Sequence, residues 1–147
     1  MKTHILAFTL SITVCFGARG ELKFDKTEIE LHPAPADKQA VGHFTYQNTG
    51  VCFFGHTHVP VAFIRDSVVR GGTYSKFKVE PGKKYFVNVG AVGQPRDNNP
   101  KAAYVVYDMD EATIELRRLD YDIPGAQKKI LDAGLPPRLA ERLAFGR

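Results

Sequence analysis

At 147 residues, the chain has room for one domain with a modest core. Its composition, 44% hydrophobic and 24% charged, is that of an ordinary globular protein, with no low-complexity tract and no internal repeat. The formal charge of +4 is spread over "GKK", "RR" and "KK" pairs. No stripe of bases interleaved with aromatics exists, which excludes nucleic acid as a specific ligand.

Residues 1–20 differ from the rest. Lys2 is followed by an apolar stretch from Ile5 to Phe16, then by small residues at Ala18 and Gly20, with no acid among them. This is the pattern of a secretory signal peptide, too short to remain as a spanning helix. A buried N-terminal strand is the alternative. Removal after Gly20 would take Lys2 and Arg19 from the 20 bases, which leaves the chain near neutral against its 16 acids. It would also take Cys15 and leave Cys52 without a disulfide partner. The product would be secreted or periplasmic, with no membrane attachment. Val14 before Cys15 argues against a lipoprotein anchor.

Residues 21–50 form a partial β segment. Leu22 and Phe24 and, after a turn near Asp25, Ile29 and Leu31 alternate, and "PAPADK" is a loop. A second strand would place Val41, His43 and Thr45 on one face and Phe44 and Tyr46 on the other. His32 and His43 read as ordinary strand or loop residues.

The character changes after Gly50. "VCFF" is a continuous apolar run, as in a strand buried on both faces, with Cys52 a structural thiol inside it. "VAFIRD" is a further strand. Pro81 and Gly82 suit the central positions of a type II turn, and a second hairpin turns at Asp108 to Ala112. Pro124 opens a helix and Gly134 ends it. The expectation is an α+β unit: a mostly antiparallel sheet over 51–119, with the Gly55–His58 turn at one end, and helices over 124–133 and 137–145.

The motif that carries chemistry is "GHTH" at 55–58. In an extended segment, side chains at i and i+2 point the same way, so His56 and His58 could present both imidazoles to one metal centre. Two exposed loop histidines are the bland alternative. With no carboxylate between Asp37 and Asp66, the pair alone suits zinc or nickel better than manganese. Asp97, Asp108, Asp110, Asp120 and Asp122 sit in turn contexts and read as solvated groups. No serine or cysteine nucleophile motif is present, so no catalytic residue is assigned.

"FFGHTHVP", then "NVGAVGQPRDNNPKAAYVVYD" and "RLDYDIPGAQKKILDAGLPPRLAERL", in this order and spacing, resemble the C-terminal part of the calcineurin-like metallophosphoesterases. The branch resembled is the small phosphodiesterase and diadenosine-tetraphosphatase-like group, and the match covers 51–147. The resemblance implies part of an αββα sandwich. It implies two divalent ions (manganese, iron or zinc) that share a nucleophilic hydroxide, one bound by His56 and the other by His58. It places the loop with Asn88 and Gly90 beside the metals, and it implies a small phosphoester substrate and a cytoplasmic setting. The family's upstream ligands, in Asp-x-His, Gly-Asp and Gly-Asn-His motifs, are missing here. Residues 21–50 resemble the opening of a secreted bacterial immunoglobulin-like family. The implied function is therefore a metal-dependent phosphoester hydrolase that is incomplete and inactive alone, unless a separate chain supplies the missing half. The alternative is a non-enzymatic secreted β-rich module, or a misjoined chimeric chain.

Overall fold

The computed structural model describes residues 43–147, together with the strand backbones of 3–6, 14–16 and 22–24. His32, the "PAPADK" loop and the strand expected through Ile29 and Leu31 lie outside the described residues. Among the described residues, ten strands precede a helical end: β1 (Thr3–Leu6), β2 (Val14–Phe16), β3 (Leu22–Phe24), β4 (Val51–Phe54), β5 (Val61–Arg65), β6 (Val69–Gly72), β7 (Lys76–Lys78), β8 (Lys84–Asn88), β9 (Ala102–Asp108) and β10 (Thr113–Leu119). They form two sheets, ordered β1-β9-β10-β7 and β3-β2-β4-β8-β5-β6. Residues 3–6 and 14–16, inside the stretch with signal-peptide character, are strands here, paired with β9 and β4.

Two expectations are corrected. The 51–119 region is mostly antiparallel as expected, but it divides between two sheets, and β4 runs parallel to β8, with Phe54 opposite Asn88. Residues 43–46 are helical rather than extended, with Gln47 N donating to His43 O at 3.1 Å. The reason is burial three residues apart. Phe44 and Gln47 are buried while Thr45 and Tyr46 face solvent, a helical rather than an alternating pattern. Arg65 donates to Phe44 O at 2.8 Å and Gln47 Nε2 to Tyr85 O at 3.1 Å, which fixes this turn against the sheet.

The core lies between the sheets. Val51, Phe53, Ala62, Tyr85, Val87 and Val89 pack against Val105 and Ile114, with Phe77, Tyr107 and Leu116 at the margin. Burial of each large apolar side chain here stabilises by about 1.5–3 kcal/mol. The opposite face of β4 and β8 is apolar too: Cys52, Phe63 and Phe86 cluster with Phe44. Phe86 stacks against both Phe54 and His43, with ring centroids 3.8 and 3.7 Å away. "VCFF" is thus a strand covered on both faces, as its composition requires, and Cys52 is fully buried.

The local turn signals hold. Gly82 has φ of 81°, as the third residue of a type II turn needs. Asp108 accepts from the backbone N–H of Asp110 and Glu111, closing the β9–β10 hairpin. Asp122 caps α1 (Ile123–Asp132) by accepting from Gly125 N at 2.9 Å, and Gly134 ends that helix with φ of 70°. A short α2 (Pro137–Glu141) continues into a 3₁₀ turn, Arg142–Phe145. Among the described residues, no helix is long and apolar enough to cross a membrane.

The β5–β6 turn carries a pH expectation. The Val68 backbone N–H, then the Arg70 guanidinium, hold the Asp66 carboxyl down from its ordinary 3.8 to about 2. A depressed carboxyl contributes stability above its unfolded pKa and loses it as pH falls through the folded one. Amide exchange at Val68 should therefore stay slow at roughly pH 4 and quicken toward pH 2. Full loss of protection by pH 4 would show that these bonds do not form.

Candidate metal centre

The parallel pairing of β4 and β8 makes the site. It brings the C-terminal ends of both strands to one edge, so the Gly55–His58 turn and the loop after Asn88 emerge side by side. Parallel strands commonly collect ligand-binding loops at that edge. Val89 N donates to Phe54 O at 3.0 Å, which extends the pairing to the start of both loops.

The histidines are not extended. His56 and His58 have φ of 71° and 63°, so both sit in the left-handed region. The expectation that an extended strand would aim them together is corrected: a tight turn presents them. Such a conformation costs a non-glycine residue about 1–3 kcal/mol and persists only where the surroundings enforce it. Those surroundings are identifiable. Asn88, 0% exposed, donates from Nδ2 to Gly55 O at 2.9 Å and to Thr57 Oγ1 at 2.8 Å. Its Oδ1 accepts from Gly90 N at 2.9 Å. Tyr74 OH donates to Asn88 O at 2.8 Å, and burial raises that phenol's pKa. Gly90 has φ of 80° and lies where a Cβ would come within 2.7 Å of Ala103 Cβ. Asn88 and Gly90 therefore lie against the histidine turn, with both ends of the Asn88 amide committed to backbone and hydroxyl partners.

His58 is anchored through its ring. Nδ1 lies 2.7 Å from Gln94 O. A carbonyl only accepts, so neutral His58 carries its proton on Nδ1 and keeps the Nε2 lone pair for a ligand. Arg96 N donates to His58 O at 3.2 Å, and the Arg96 guanidinium donates to Gln94 Oε1 at 2.8 Å. Nothing in the sequence points to Gln94 and Arg96, because their contacts to His58 run through backbone groups. His56 is solvent-exposed.

The turn-forming acids stay out of this centre. Asp97 pairs with Arg118, Asp120 with Lys101 at 2.9 Å, Asp108 and Asp122 cap backbone, and Asp110 is exposed. Among the described residues, no group of three or more His, Cys, Asp or Glu side chains could hold a metal ion. Two hard divalent ions need bridging oxygen anions, and this edge offers two nitrogen donors. The described residues alone do not make a dinuclear centre.

No family model matches the chain. An uncharacterized protein of Methanocaldococcus jannaschii is 40% identical over 97 residues, which is 65% of this chain and 39% of that protein. A crystal structure of a metallophosphoesterase from Sphaerobacter thermophilus superposes with a TM-score of 0.70 at 32% identity, covering 90% of this chain and 55% of that one. This chain therefore spans well under two thirds of either protein. With its two sheets, C-terminal helices and histidine turn, the chain is similar to that metallophosphoesterase and holds a portion of its fold.

Proposed function

We propose that this chain carries the histidine half of a divalent-metal phosphoester hydrolase site, and that it does not hydrolyse phosphoesters by itself. The carrying observation is the Nδ1–H hydrogen bond of His58 to Gln94 O, which leaves Nε2 as the ring's ligand atom. Asn88 supports the reading, since its amide holds the strained turn that carries both histidines. In the complete site, the metals would supply the nucleophile and stabilise the phosphoryl oxygens. The oxygen ligands would have to come from outside the described residues or from another chain. The substrate class by resemblance is a small phosphodiester, and export to the periplasm or beyond belongs to the reading only if residues 1–20 are removed.

The test is turnover of an aryl phosphodiester with added manganese. The purified chain should release no more aryl alcohol than manganese alone. Manganese-dependent turnover that His56→Ala and His58→Ala abolish would show the chain to be a sufficient enzyme and overturn the second half of the proposal. Turnover indifferent to both changes would overturn the first.

A further inference from the structure

The loop that anchors His58 is itself held from the far end of the chain. Asn98, two residues beyond Arg96, donates its backbone N–H to Gly146 O at 3.0 Å. Arg147 Nε donates to Asn98 Oδ1 at 3.3 Å, and Arg142 Nε donates back to Arg147 O at 2.6 Å. Gly146 has φ of 64° and lies against Asn99 so closely that a Cβ would come within 2.6 Å of its backbone N and C. Only glycine meets both conditions, because a side chain would be strained by its backbone and would also strike backbone rather than a flexible neighbour.

The geometry points to Gly146 and Arg147 as positioning residues for His58. Closing the 3₁₀ turn onto Asn98–Asn99 sets the placement of 94–96, and thereby of the Gln94 carbonyl and Arg96 amide that grip His58. The purpose of this latch rests on reading His58 as a ligand, but its geometry does not. A group that fixes the tautomer of a ligating histidine commonly changes metal affinity by about 10–100-fold when lost. A latch one step further out should act more weakly, by up to about tenfold.

The readout is the ¹⁵N spectrum of the neutral histidine rings, recorded in alkaline buffer. The wild-type chain should show His58 as the Nδ1–H tautomer. Gly146→Ala should leave His58 shared between tautomers and His56 unchanged, with the amide spectrum of the sheets preserved. An unaltered His58 in folded Gly146→Ala would overturn the inference, as would equal changes at both rings. If Gly146→Ala does not fold, Arg147→Ala decides: it removes one exposed contact, and it should shift His58 partly in the same direction, where no shift overturns the latch. Zinc titration of the same variants separates the two readings. A wild-type chain with the expected tautomer but no zinc binding would overturn the ligand role and leave the latch standing.

Discussion

Asn88→Ala should lower stability by about 3 kcal/mol, since three hydrogen bonds at about 1 kcal/mol each are lost and buried Gly90 N is stripped of its partner. Gly55 O and Thr57 Oγ1 are the other groups released, and with them goes the hold on two left-handed histidines. Asn88→Asp should be no rescue. Its second oxygen would face Gly55 O, where the amide nitrogen now sits 2.9 Å away, and two acceptors repel. Urea denaturation measures both. A cost below about 1 kcal/mol for the alanine variant would mean that the turn holds itself and that Asn88 is not its brace.

Gly90→Ala is expected to cost about as much by a different route. The left-handed backbone costs an alanine about 1–2 kcal/mol, and overpacking adds about 1–3 kcal/mol. The added methyl would meet Ala103 Cβ at 2.7 Å and Pro60 Cγ at 2.9 Å, both on chain segments that the sheets hold. Gly93, three residues on, has nothing within 4 Å of the position a Cβ would take. Gly93→Ala should therefore stay within about 0.5 kcal/mol of wild type. Equal melting behaviour of the two variants would contradict the packing described around Gly90.

What the sequence disclosed was local. Pro81-Gly82, the Asp108 hairpin, the Pro124 helix start and the Gly134 stop each depend on a residue type within a few positions of where it acts, and each is found in place. The helical turn at 43–46 is hidden because Phe44 and Tyr46 alternate like a strand, while the pair that is buried is Phe44 and Gln47. Parallel pairing of β4 with β8 joins segments more than thirty residues apart, and no side chain advertises it. That pairing is nevertheless what puts "GHTH" and "NVGAVGQPR" at one edge. The left-handed backbone at His56 and His58 is equally hidden, since glycine is the usual sign of such a conformation and the glycine here precedes them. The anchoring of His58 runs through the carbonyl of Gln94 and the amide of Arg96, groups of a kind that nearly every residue possesses. Legibility stopped where backbone took over from side chains.

The central claim is that the described part of this chain offers two nitrogen ligands and no oxygen cage. Calorimetric titration of the purified chain with zinc and with manganese tests it most directly. The expected result is weak binding of zinc that His56→Ala with His58→Ala removes. No saturable manganese binding is expected, because two neutral imidazoles do not satisfy a hard ion. Tight manganese binding that survives the double substitution would contradict the account, because it would require an oxygen-rich site that does not use the histidine turn.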